Sequence, residues 1–171
     1  MIVFETSSSP LGFKLLPLPS KPIGKITTNR GTNDDLTSIL IDGKVRKGMG
    51  YVFSNNALDG AYKLDLGKPQ EIIALTSWSY NEDGYRGAQS ITIYASNHPT
   101  DPEWALTNTS RFTKLGTIST KGREIGNFNA LSLPIPKTPF RWIVWQSSPV
   151  TARGENTAFQ EFAVEVSSLS R

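Results

Sequence analysis

The sequence contains no cysteine and a single histidine, His98. The missing cysteines exclude disulfides and thiolate metal sites, and one imidazole alone cannot build a histidine-rich metal centre. A serine or cysteine nucleophile would have to take its base from His98. That residue lies in Asn97-His98-Pro99, where the proline restricts its backbone, and no glycine-elbow serine accompanies it. Triad chemistry is therefore not expected. No run of about 18 apolar residues is present, so no helix is expected to span a membrane. Clustered positive charge is also missing: net charge is only +3, and the densest basic group, Lys44, Arg46 and Lys47, reads as a solvated, glycine-flanked loop. Nucleic acid is not an expected partner. Nucleotide motifs fail as well. Gly48-Met49-Gly50 lacks the third glycine, and Ile26 follows Gly24-Lys25 where a phosphate loop needs a hydroxyl.

What is present is a globular composition. Of 171 residues, 37% are hydrophobic and 19% charged, which suits one domain with a real core. The 14 glycines and 11 prolines are scattered, favouring many turns between short strands. The Ser/Pro-rich residues 1–24 read as an extended lead-in with one edge strand at Gly12–Leu16, and 25–171 as a single domain. Leu36–Ile41 reads as a short apolar turn of helix or strand, with Asp35 placed to cap it and Asp42-Gly43 ending it. Strands are then expected at Tyr62–Leu66, Glu71–Trp78, Ser90–Ala95, Phe112–Ile118, Ala130–Leu133, Phe140–Gln146 and Phe159–Val166. Asp65-Leu66-Gly67 reads as a turn ahead of the second of these. Alternation assigns Ile91, Ile93 and Ala95 to one face with Thr92 and Tyr94 opposite, and Phe162, Val164 and Val166 to one face with Glu161, Ala163 and Glu165 opposite. No segment after residue 60 sustains a 3.6-residue period. The pattern predicts an all-β antiparallel sandwich.

Five motifs occur in order: Leu36–Gly43 ending in Asp-Gly, Tyr62–Gly67 ending in Asp-Leu-Gly, Gln89–Ser96, Phe140-Arg141-Trp142-Ile143-Val144-Trp145, and Phe159-Gln160-Glu161-Phe162-Ala163-Val164. Together they resemble the discoidin, or coagulation-factor C-terminal type, domains and the related galactose-binding-like carbohydrate-binding modules of bacteria. The resemblance covers residues 25–167 and implies a jelly-roll sandwich with binding loops at one end. It also implies a structural calcium joining Asp42 to Glu161, with Asn33, Asp34 and Asp35 as nearby alternative ligands. The sequence departs from the pattern in three places. The cysteine pair of animal members is missing, the loop Asn97–Arg111 is long, and Gln160 stands where a small residue is common.

The main candidate site is the polar, aromatic loop Ser79–Gln89. Sugar recognition needs planar hydrogen-bonding groups for hydroxyls and flat rings for C–H faces. Glu82, Asp83, Arg86 and Gln89 supply the first, and Tyr80 and Tyr85 the second. Arg153, Glu155 and Asn156, in the loop before the last strand, are candidates for the same end. The bland alternative packs Tyr80 and Tyr85 on the sandwich and pairs Arg86 with Asp83. The expected ligand-binding set is Tyr80, Glu82, Tyr85, Arg86, Arg153 and Asn156, with no catalytic residue. Two other functions stay open: a protein-interaction or adhesion module without a sugar ligand, and a glycoside hydrolase using Glu82 or Asp83. Among the tryptophans, Trp78 reads as core, Trp142 and Trp145 fall on opposite faces of one strand, and Trp104 is the best exposed candidate. Asn108-Thr109-Ser110 is a glycosylation sequon. The segment MIVFETSSSP has no signal-peptide character. That leaves two readings, a cytoplasmic chain or one whose signal peptide has been removed, and of these an extracellular or cell-surface location is the expectation.

Overall fold

A computed structural model describes residues 24–32, 37–48, 50, 59–82, 87–120, 125–148 and 157–167. Its described strands are β1 (Lys25–Thr28), β2 (Gly60–Asn81), β3 (Gln89–Ser96), β4 (Thr113–Thr120), β5 (Asn127–Ser147) and β6 (Phe159–Val166). A short 3₁₀ helix, Thr37–Ile41, follows β1 and buries Leu40 and Ile41. Its start is held by the Thr37 hydroxyl, which donates to the Ile26 carbonyl at 3.1 Å. The expected strand Gly12–Leu16 and the capping role of Asp35 lie outside the described residues.

Two long strands organise the rest. β2 and β5 pair antiparallel from Gly60↔Ser147 to Asn81↔Asn127, with register shifts between Asp65 and Gln70 and between Ile72 and Ala74. In the first half, β1 flanks β2, β3 flanks β5, and β4 lies outside β3. In the second half, β6 flanks β2 from Ile72↔Val166 to Ser79↔Phe159. Side chains from both halves meet in one apolar cluster. Tyr62, Leu64, Ile93 and Trp145 from the first half pack with Leu75, Leu131, Phe162 and Val164 from the second. Trp145 stacks on Phe162 with ring centroids 4.7 Å apart. The fold is thus an antiparallel β-sandwich whose layers share β2 and β5.

Three sequence expectations are corrected by this arrangement. Tyr62–Leu66 and Glu71–Trp78 are one strand, and Asp65-Leu66-Gly67 is an irregularity within it rather than a turn. Gly67 takes φ 78°, where glycine has no Cβ to clash, so the strand bends there without ending. Ala130–Leu133 and Phe140–Gln146 are also one strand. Pro134, Pro136 and Pro139 do not interrupt it, because β3 pairs with β5 only from Trp142 to Ser147, so one side of the proline-bearing stretch has no ladder to feed. Finally, Ser79–Asn81 belong to β2 and Gln89 to β3, leaving residues 82–88 as the connection.

The long loop 97–112 folds back over the outer face of the first layer. There Phe112, Ala61 and Val144 form a second apolar cluster, with Tyr94, Trp104 and Leu106 packed against it. Trp142 is consequently buried too, on the face of β5 opposite the core residue Trp145. Trp104 is half-buried rather than exposed.

Candidate functional site

The feet of three connections lie together at one end of the sandwich. β2 ends there, β3 and β5 begin there, and the ends of the intervening segments are bonded to one another. The Gly126 amide donates to Asn81 O at 2.7 Å, the Ser148 amide to Ser90 O at 2.9 Å, and the Thr157 hydroxyl to Ala88 O. The feet of the connections 82–88, 121–126 and 149–156 are therefore neighbours, although each leaves a different strand.

The feet stand on a buried polar network. Ser77, Ser79 and Asn81 occupy core-facing positions of β2 where alternation alone would put aliphatic side chains, and Gln89 opens β3 beside them. Ser77 donates to the Gln89 side-chain oxygen, and Gln89 Nε2 donates to Asn129 O at 2.7 Å. Asn129 Nδ2 and Ser79 Oγ both donate to Gly87 O, at 2.7 and 2.6 Å. Buried polar groups are costly unless paired, and these pairings spend themselves on the carbonyl that ends the 82–88 connection. Gly87 is required for steric reasons: a Cβ there would lie 2.3 Å from Asn81 Cβ. Ser77, Ser79, Asn129 and Thr157 were not singled out from the sequence. The usable signal was the alternation Ser77-Trp78-Ser79-Tyr80-Asn81, whose polar members face inward.

Of the expected ligand-binding residues, Tyr80 and Glu82 are described. Tyr80 lies in β2 and is 9% exposed, with its ring 4.9 Å from that of Phe128. It packs on the end of the sheet and does not stand in the loop. Glu82 is exposed at the start of the connection. Tyr85, Arg86, Arg153 and Asn156 lie outside the described residues, as do Asp83 and Glu155. Ile125, at the foot of the neighbouring connection, is 69% exposed. It is the one exposed large hydrophobic side chain among the described residues.

Asp42 and Glu161 are brought together. Glu161 is fully buried, because the loop after the 3₁₀ helix docks on β6. Gly43 N–H donates to Glu161 Oε1 at 3.1 Å, Arg46 N–H to Gln160 Oε1 at 3.3 Å, and Gln160 Nε2 to Gly48 O at 2.8 Å. Gln160, the departure noted in the sequence, is thus the clasp of this loop. Glu161 Oε2 is buried without a hydrogen-bond partner. Burial, opposed by the Gly43 amide and reinforced by the Asp42 charge, pushes the Glu161 carboxyl up to about 8. The Asp42 carboxylate accepts from the Lys44 amide at 2.9 Å and from the Arg46 guanidinium at 2.6 Å. An orphaned, buried carboxylate oxygen beside a second carboxylate fits a hard cation. Among the described residues no group of three or more metal-binding side chains exists, so loop carbonyls would have to complete such a site.

No family model matches the chain, and no curated protein matches it in sequence. Solved structures do match in shape. A chitosan-binding module of a chitosanase/glucanase from Paenibacillus sp. IK-5 superimposes with TM-score 0.59 at 16% identity, covering 84% of this chain and 96% of its own. The family 32 carbohydrate-binding module of Clostridium perfringens NanJ, solved with galactose, gives TM-score 0.59 at 14% identity, covering 84% and 97%. The family 32 module of AlyQ, solved with 4,5-unsaturated mannuronic acid, gives 0.57 at 16% identity, covering 85% and 96%. This chain spans nearly all of each solved chain. The chain has the β-sandwich fold of these family 32 carbohydrate-binding modules, the galactose-binding-like fold that its five ordered motifs resemble.

Proposed function

We propose that this chain is a non-catalytic carbohydrate-binding module that takes a sugar at the end where the feet of the connections 82–88 and 149–156 meet. The observation that carries this reading is the bond from Thr157 to Ala88 O, which ties the foot of one candidate loop to the foot of the other on a rigid, buried frame. Arg86, Arg153, Asn156 and Glu82 would bind hydroxyls, and Tyr85 would offer a ring to the sugar's C–H face. Tyr80 would support the loop from beneath. The fold is one on which solved modules hold galactose and an unsaturated mannuronic acid. Such a module works outside the cell or at its surface. The test is a glycan array followed by calorimetry on each hit. Binding that Arg86→Ala abolishes supports the reading, and an array without hits overturns it.

The alternatives have less behind them. A protein-docking face calls for a contiguous apolar patch, whereas Ile125 stands alone among the described residues. A glycosidase general acid sits in an apolar pocket, whereas Glu82 is exposed.

Calcium is part of the same proposal. Glu161 and Asp42, with carbonyls of the loop they share, would hold the ion. Its charge would neutralise the buried carboxylate and tie the 3₁₀ helix to β6.

A further inference from the structure

Lys63 is 1% exposed, yet it carries an ammonium group. It lies near the start of β2, flanked there by β1 and β5, on the outer face between Asp65 and Ala61, where alternation predicts a solvated side chain. Loop 97–112 covers it. The Nζ donates to the Asp101 carboxylate and to Glu103 O at 3.2 Å, and it sits 4.1 Å from the centroid of the Trp104 ring and 5.7 Å from that of Trp142. Two acceptors and two indole faces thus surround one cation. Three of these four groups come from the loop, or strap, and none of the three has a strand partner.

The strap is built around this contact. Glu103 takes φ 62°, a left-handed conformation that a non-glycine residue adopts at a cost, and its carbonyl is the one that reaches Lys63. The Asp101 carboxylate also accepts the Glu103 amide, closing the turn that presents Trp104. Elsewhere the strap's carbonyls are held by side chains in place of a ladder. Trp142 Nε1 donates to His98 O at 2.9 Å, and Arg141 to Pro99 O at 2.6 Å.

We infer that Asp101, Glu103 O, Trp104 and Trp142 form a primary-ammonium site whose ligand is the chain's own Lys63, and that this occupancy fixes the strap in register over the outer sheet face. An aliphatic residue at position 63 would fill the same space and avoid desolvating a charge, so global stability does not require the ammonium. It has no means, however, of selecting one strap conformation, which directed hydrogen bonds and a cation–π contact do. The site is distinct from the sugar-binding end and does not depend on it.

The experiment is amide hydrogen exchange on the full chain, reading the bonded strap amides of Glu103, Leu106 and Phe112 against core amides of β3 and β5. In Lys63→Met, strap exchange is expected to accelerate about tenfold or more while core protection and melting temperature stay near the native values. Asp101→Asn, a change at a half-exposed strap residue, is expected to give a smaller acceleration confined to the same amides. In Lys63→Ala, n-propylammonium, which replaces the deleted atoms, is expected to restore strap protection, and 1-propanol at equal concentration is not. Native strap protection in Lys63→Met overturns the inference. So does a Lys63→Ala strap that n-propylammonium leaves unprotected, or that the neutral alcohol restores equally well. If the position-63 variants lose core protection too, Asp101→Asn decides, because an unchanged strap in that variant overturns the role of the ammonium pair.

Discussion

Glu161 and Gly43 are joined across 118 residues of sequence by a single hydrogen bond of 3.1 Å, and the other oxygen of the same carboxylate is buried with nothing to accept from. This pairing makes the docking of the loop after the 3₁₀ helix dependent on the charge of one side chain.

In EDTA, the protein is expected to lose stability as pH rises from about 4.5 towards 8. The folded state keeps Glu161 protonated up to about 8, while the unfolded chain releases that proton near 4.5, so the contribution is fully present below the unfolded value and lost on the way to the folded one. Added calcium should reverse the slope, raising Tm more at pH 8 than at pH 5.5. Glu161→Gln should flatten the dependence and remove the calcium effect. A calcium-insensitive Tm at pH 8 in the native protein would remove the ion from the proposal.

Asp65 and Arg141 give a dependence of the opposite sign. The guanidinium binds the carboxylate with two bonds of 2.8 and 2.9 Å. The Arg141 bonds, opposed by burial and helped by the Gly67 amide, hold the Asp65 carboxyl below the usual carboxylate range. Its contribution is present above the unfolded pKa and lost as pH falls through the lower folded one. Acid unfolding followed by circular dichroism should show a limb below about pH 4 that Asp65→Asn removes.

Gly87→Ala should destabilise by about 1–3 kcal/mol, because backbone and Cβ atoms of Asn81 occupy the space of the new methyl group. The displaced connection should also weaken binding of whichever glycan the array identifies. Urea denaturation and calorimetry on the same sample separate the two effects. A variant as stable as the native chain would show that the close approach is relieved.

Asn129→Leu removes a buried donor to Gly87 O and should cost about 1–3 kcal/mol. Phe162→Ala, which empties the centre of the core between Tyr62 and Trp145, should cost more, about 3–5 kcal/mol. If Asn129→Leu alters glycan affinity and Phe162→Ala, still folded, does not, the polar network is tied to the site rather than to stability alone.

Strand identity was legible because each strand carries its own evidence. Phe159–Val166 coincides with β6, and Ile91, Ile93 and Ala95 are buried together as their alternation requires. Strand continuity was not legible, because Gly67 and the prolines of β5 look like breaks unless one knows which backbone groups need partners. The candidate site was readable as a loop composition. The convergence of its feet was not, since residues 88 and 157 are 69 positions apart. Glu161 was implied by resemblance, but its burial was not, because β6 receives its cover from residues 43–48.

By itself, the sequence determined an all-β antiparallel sandwich, the inward aliphatic residues of strands such as β3, and the absence of thiols. Those properties follow from residue types and from a period of two along a single strand. Tertiary structure alone decided that Lys63 is caged under Trp104, that Glu161 is sealed under Gly43, and that serines and asparagines carry the end of the core. Alternation reports which way a side chain points, whereas burial depends on what distant chain arrives to cover it.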